Sequence, residues 1–119
     1  MIMAKITRLV IADDSPRARH GQCAVLAIQP GIKVVGEAAD GEEAIRLIET
    51  LRPDGVIMDI CMPGMDGIQA TRLIKCRWPE IKVIIMSMYA AYRFEALATG
   101  ADIFLEKGCP VEELVNALR

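Results

Sequence analysis

Long apolar runs, aromatic residues and paired cysteines are all scarce in this chain, and each scarcity closes off a class of protein. No apolar stretch approaches the roughly 20 residues that a membrane-spanning helix needs. The N-terminal MIMAKITRLV lacks the extended apolar block and small-residue cleavage site of a secretion signal. Aromatic residues make up only 4% of the chain, so Ile, Val, Leu, Ala and Met must build the core. The four cysteines, Cys23, Cys61, Cys76 and Cys109, form no C-x-x-C pair, and the single His20 is not spaced to complete a zinc site. They read as reduced thiols of a cytoplasmic protein. No basic block marks a nucleic-acid surface: the net charge is −2, with both signs interspersed. Neither G-x-G-x-x-G nor a Walker A motif occurs, which counts against dinucleotide and P-loop chemistry.

What is present is regular. At 119 residues the chain fits one domain with a full core and no staples, and its sequence holds no linker or low-complexity stretch. Strand-like segments fall at Ile6 to Ala12, Lys33 to Ala38, Gly55 to Asp59, Lys82 to Ser87 and Ile103 to Glu106. The first, third and fourth are nearly continuous apolar runs, as in strands covered on both faces of a parallel sheet. Helical spacing appears between them. Ala44, Leu47, Ile48 and Leu51 follow i, i+3, i+4, i+7, as do Phe94, Leu97, Ala98 and Ala101, and then Val111, Leu114, Val115 and Leu118. Each set is expected to turn one face to the core. Ser15-Pro16 reads as an N-cap with proline opening the helix. Asp40 with Glu43 resembles a capping box, Pro110 opens the last helix, and Gly100 sits where a helix end wants a left-handed residue. Alternation of this kind predicts an α/β fold, a five-stranded parallel sheet with helices on both faces. The chain stops at Arg119 within the last helical stripe, and the expectation is a domain cut from something longer.

Polar residues collect at one end of the strands. Strand one runs into Asp13 and Asp14, strand three ends in Asp59, strand four in Ser87, and strand five in Glu106 followed by Lys107. Each has an ordinary structural explanation as a cap, a turn residue or a solvated charge. Independent caps would not all choose the same sheet edge, which is where open α/β sheets bind ligands. With strand order 2-1-3-4-5, Asp13, Asp14 and Asp59 would converge. Three carboxylates so close repel one another and call for a cation; oxygen-only ligands suit Mg²⁺.

The acidic pair in VIADDSP, the central MDICMPGMDG, the hydroxyl in IIMSM and the lysine in IFLEKG occur in an order and at separations that resemble the response-regulator receiver domain of bacterial two-component systems. KVVGEAADGEEAI and GMDGIQATRLIK resemble the subfamily whose receiver precedes a helix-turn-helix DNA-binding output domain. The resemblance implies a doubly wound, flavodoxin-like fold over residues 1–119. It implies Asp59 as phosphoacceptor from a sensor histidine kinase, and Mg²⁺ (or Mn²⁺ in its place) held by Asp13, Asp14, Asp59 and the Cys61 backbone carbonyl. Asp14 would be the more direct ligand of the acidic pair. It further implies that Lys107 and Ser87 contact the phosphoryl oxygens, and that Phe104 moves into space vacated by Ser87. The readout would use helix four, strand five and helix five around Tyr89, Tyr92, Phe104 and Glu113, with a homodimer through that face or another as one form of it. DNA would be contacted only through an output domain outside this chain, and no membrane is involved.

Some positions depart from the family pattern. Phe104 stands where Tyr is common, and Ser87 where Thr is commoner. Cys61 is too short to position a hydrolytic water, which predicts a long-lived phosphoryl group. Gly108 follows the lysine where relatives often have Pro or an acidic residue, and leaves open whether the bond after Lys107 is cis. Four other readings remain beside the switch: a stand-alone relay receiver, an aspartyl-nucleophile phosphohydrolase, a flavin carrier, and a phosphorylation-independent interaction domain. The hydrolase would need a D-x-D nucleophile after strand one, the flavin carrier a phosphate-cradling loop there; the complete five-residue set opposes the last.

Overall fold

A computed structural model of the chain describes residues 5–119; Met1–Ala4, the start of the stretch judged not to be a secretion signal, lie outside the described residues. Five strands and five helices alternate: β1 (Thr7–Ala12), α1 (Pro16–Ala27), β2 (Ile32–Ala38), α2 (Gly41–Leu51), β3 (Gly55–Asp59), α3 (Gly67–Arg77), β4 (Lys82–Ser87), α4 (Arg93–Thr99), β5 (Ile103–Glu106) and α5 (Val111–Leu118). A short 3₁₀ turn, Ala90–Tyr92, leads into α4. The strands form one parallel sheet in the order β2-β1-β3-β4-β5. The expected strands are all present; β1 starts one residue later than its apolar run, and β2 one residue earlier.

The unbroken apolar runs have a simple cause, because successive strand residues face opposite layers and both layers are covered. Leu9 and Ile11 of β1, Ile57 of β3 and Ile84 and Met86 of β4 pack with Leu26 of α1 and Leu114 and Leu118 of α5. Their neighbours Val10, Ala12, Val56, Met58, Val83 and Ile85 face the layer of α2, α3 and α4. Each fully buried Leu or Ile contributes about 1.5–3 kcal/mol.

The helix ends follow their local chemistry. Ser15 Oγ accepts from Ala18 N–H at 3.2 Å, with Pro16 opening α1. Asp40 accepts from Glu43 N–H at 2.8 Å and caps α2, without the reciprocal contact of a capping box. A full box occurs instead on α3, where Asp66 accepts from Gln69 N–H and the Gln69 side chain accepts from Asp66 N–H. Gly100 ends α4 at φ +116°.

One stripe lies differently from its expected placement. In α2, Ala44 and Ile48 are buried, and in α5 Leu114, Val115 and Leu118 are buried. In α4, Phe94 is 85% exposed and Leu97 42%, while Ala96 is fully buried. Of the expected stripe only Ala101, beyond the helix end, joins the core. Periodicity identifies an apolar face but not the direction it faces. Here the small Ala96 lets α4 approach the sheet, and the larger residues are left in water.

Candidate functional site

The sheet order sets the site. β1 and β3 are hydrogen-bonded neighbours, so the residues that follow or end them meet at the carboxyl edge. Carboxylate oxygens of Asp13, Asp14 and Asp59 all lie within 4.8 Å of one another. Asp13 and Asp59 are buried and Asp14 is exposed. Lys107 enters from the end of β5, its backbone N–H donating to Ser87 O at 2.8 Å. Its Nζ lies 3.0 Å from Asp13 Oδ2 and 3.3 Å from Asp59 Oδ2. One ammonium thus spans the ends of two strands.

Asp13 is held on every side. Its N–H donates to Ala38 O at 3.0 Å, its Oδ1 accepts from Ser15 N–H at 2.9 Å, and its carbonyl accepts from Arg19 at 2.7 Å. Asp59 is held less tightly. Burial pushes its carboxyl above the usual carboxylate range, against the pull of Lys107 and with added repulsion from Asp13. Burial also works against the Lys107 ammonium, but its hydrogen bond to Asp13 and the charges of Asp59 and Asp13 prevail and raise it.

The loop after Asp59 explains much of the sequence MDICMPGMDG. A Cβ on Gly67 would sit 2.0 Å from the Asp59 carbonyl oxygen, so only glycine lets the start of α3 lie against the end of β3. Gly67 N–H donates to Ile60 O at 2.9 Å and closes the loop. Gly64 takes φ +68° at its tip. Cys61 follows Ile60 with its side chain exposed.

Ser87, 2% exposed, accepts from Tyr89 N–H through Oγ at 3.0 Å. Phe104 was expected on the readout surface, but its ring is 3% exposed, with the Arg93 guanidinium 4.9 Å from its centroid. Tyr89 and Glu113 are exposed and Tyr92 is half-buried. Among the described residues no peptide bond is cis, so the Lys107–Gly108 bond is trans; Gly108 adopts φ +89°. All four cysteines are free thiols. No helix among the described residues is long and apolar enough to cross a membrane.

Two features escaped the sequence reading. The Asp66–Gln69 box was legible as a D-x-x-Q pattern at a helix start. Arg19, whose guanidinium reaches the Asp13 carbonyl, carries no signal along the chain, because its partners come from β2 and from the turn before α1.

Residues 9–119 match the response regulator receiver domain family. The chain is 43% identical over 111 residues to the transcriptional regulatory protein YhcZ of Bacillus subtilis (strain 168), covering 92% of this chain and 52% of that protein. It is 37% identical over 114 residues to the transcriptional regulatory protein DegU of Brevibacillus brevis, covering 94% of this chain and 48% of that one. The chain therefore spans about half the length of these relatives. Among solved structures, the signal receiver domain of the response regulator NarL from Mycobacterium tuberculosis superposes with a TM-score of 0.89 at 35% identity, covering 96% of this chain and 94% of that one. The response regulator domain of Thermotoga maritima CheB gives a TM-score of 0.89 at 34% identity, covering 97% and 95%. With strand order, acidic cluster and lysine in agreement, the chain belongs to the response regulator receiver family, the receiver domains of two-component signalling.

Proposed function

We propose that Asp59 accepts a phosphoryl group from the phosphohistidine of a sensor kinase and that the domain, residues 1–119, works as a switch rather than a turnover enzyme. One observation carries this reading. Asp59 is a nearly buried carboxylate beside a single ammonium, with two further acids within reach of a shared ion. Both oxygens of Asp13 are already engaged, by Ser15 N–H and by Lys107, which leaves Asp59 as the better nucleophile.

Transfer forms a bond from an Asp59 carboxylate oxygen to phosphorus and breaks the phosphorus–nitrogen bond. The imidazole departs with the electron pair and takes up a proton. Little covalent chemistry is asked of the protein; positioning and charge cancellation do most of the work. Lys107 is placed to receive phosphoryl oxygens, and the Ser87 hydroxyl to donate to one after transfer. The donor set is hard and all-oxygen with an excess of negative charge, which fits Mg²⁺, or Mn²⁺ in its place. Asp13, Asp14, Asp59 and the Cys61 carbonyl would hold the ion. Bound there, it supplies charge neutralisation for the incoming phosphoryl oxygens. Phe104 would take part through its contact with Arg93 and its place one strand from Ser87.

The relatives named as transcriptional regulators support an output domain that binds DNA, with this domain controlling it. The exposed Phe94, Leu97 and Tyr89 support a homodimer or output contact on the face of α4, β5 and α5. A sensor kinase as partner fits a cytoplasmic setting.

The test is intact-mass and peptide analysis after acetyl phosphate with Mg²⁺. One phosphoryl group on Asp59, absent in Asp59→Asn and absent in chelator, is expected. Modification at Asp13, or normal uptake by Asp59→Asn, would overturn the assignment.

A further inference from the structure

The acidic pair is not positioned by the sheet alone. Asp13 has a protein partner at each polar group, but Asp14 has none on its carboxylate among the described residues. Its location depends on the peptide that joins it to Asp13. The carbonyl of that peptide receives the Arg19 guanidinium at 2.7 Å. The same guanidinium donates through Nε to Glu37 Oε1 at 3.1 Å, at the far end of β2. The Arg19 side chain is only 14% exposed. His20 Nε2 lies 3.6 Å from the same Glu37 oxygen, on the exposed side.

We infer that Arg19 is a positioning residue for the ion site: braced by Glu37, its guanidinium fixes the Asp13–Asp14 peptide and so aims Asp14 toward Asp13 and Asp59. The inference rests on the proposed function, in which these carboxylates share a divalent cation. It goes further by assigning the geometry of an otherwise unsupported ligand to a residue that touches neither ion nor phosphoryl group.

The chemistry selects arginine. A planar guanidinium offers several donors in a fixed fork and can serve a carbonyl and a carboxylate at once. A lysine ammonium is a compact point charge and cannot hold both in this arrangement. Charge provides the competing explanation, because a nearby cation also eases repulsion among three acids. Glu37 offsets much of that charge, which leaves geometry as the main contribution.

Partners behind metal ligands typically cost 10–100-fold in affinity when removed. Arg19→Met is therefore expected to weaken Mg²⁺ binding about tenfold in calorimetric titration of the metal-free protein. Phosphorylation at saturating Mg²⁺ should change far less, a shift in half-saturation rather than in maximal rate. Arg19→Lys, which keeps the charge, should recover little of the lost affinity, and Glu37→Gln should show a smaller loss of the same kind. Without any metal, amide exchange at Asp13 and Ser15 should quicken in Arg19→Met while β3 and β4 keep their protection.

Mg²⁺ affinity within about twofold of wild type in Arg19→Met, or full recovery in Arg19→Lys, would overturn the inference. Should Arg19→Met fail to fold, Arg19→Lys and Glu37→Gln decide the question alone. Should the wild-type protein bind no Mg²⁺, the proposed function fails, and the metal-free exchange comparison still tests whether Arg19 fixes the acidic pair.

Discussion

Replacing Gly67 with alanine sets two well-defined effects against each other. Alanine is the better helix former by about 1 kcal/mol, and Gly67 is the first residue of α3. The new methyl, however, would lie 2.0 Å from Asp59 O, 2.8 Å from Asp59 C and 2.9 Å from Ile60 Cα. All three are backbone atoms at the end of a buried strand and cannot swing aside. The start of α3 must withdraw, stretching the 2.9 Å bond from Gly67 N–H to Ile60 O and disturbing the Asp66–Gln69 box. Overpacking, the weakened hydrogen bond and the disturbed cap together outweigh propensity, for a net loss of about 3 kcal/mol. Urea unfolding should show a midpoint lower by roughly 1–2 M, and phosphoryl uptake should slow because the loop between Asp59 and α3 is pulled out of place. Two other glycines calibrate the result. Gly21, within α1, has nothing within 4 Å of its would-be Cβ, so Gly21→Ala should stabilise by about 0.5–1 kcal/mol. Gly64 has equally open space but φ +68°, so Gly64→Ala should cost about 1–2 kcal/mol through backbone strain alone. A Gly67→Ala variant as stable as wild type, or a different order among the three, would refute the close approach.

Three further outcomes follow from the electrostatics and the loop. In chelator, the Asp59 carboxyl titrates above its unfolded value of about 3.9, so its ionisation removes stability as pH rises through that window and changes nothing above it. Asp59→Asn should accordingly gain on wild type across the window and then hold a constant advantage in urea unfolding; a difference that does not vary with pH would count against the raised carboxyl. Cys61→Glu should shorten the life of the phosphoryl group, measured by loss of phosphoprotein after desalting, and a rate unchanged or slower would remove Cys61 from the account. Burial and then Glu37 raise the Cys23 thiol, and burial and then Glu113 raise Cys109, so an aromatic disulfide reagent at neutral pH should label the exposed Cys61 and Cys76 first.

Strands, layers and strand-end chemistry were legible because each is written in local pattern. Unbroken apolar runs at β1, β3 and β4 required cover on both faces, and Asp13, Asp59, Ser87 and Lys107 fell where those runs and β5 stopped. The α4 stripe misled because a short helix after a 3₁₀ turn has its rotation set by what the sheet accepts, and the sheet accepted Ala96. Arg19 was illegible for another reason. Its two partners, a carbonyl and a carboxylate, are set by tertiary placement, and an arginine on a helix otherwise reads as a solvated charge.

The burial of Phe104 bears on where a switch would begin. Three carboxylates and one ammonium leave a formal excess of two negative charges, which a divalent ion would balance. A phosphoryl group on Asp59 would then add fresh negative charge beside Ser87. Ser87 Oγ now accepts from Tyr89 N–H, so its own hydrogen remains available to a phosphoryl oxygen. Moving toward that oxygen would lengthen the bond to Tyr89, the residue just before the 3₁₀ turn into α4. Phe104 is already buried, with the Arg93 guanidinium over its ring. Through the Ser87–Tyr89 bond the strain should fall first on the β4–α4 connection, whose Met88 and Tyr89 are 74% and 61% exposed, before it reaches the ring. Hydrogen exchange of the beryllofluoride-treated protein should show the Tyr89 amide losing protection, and Ser87→Ala should abolish the difference between treated and untreated states. A Tyr89 amide indifferent to treatment, with the Phe104 ring signals shifting instead, would return the switch to the aromatic rotamer.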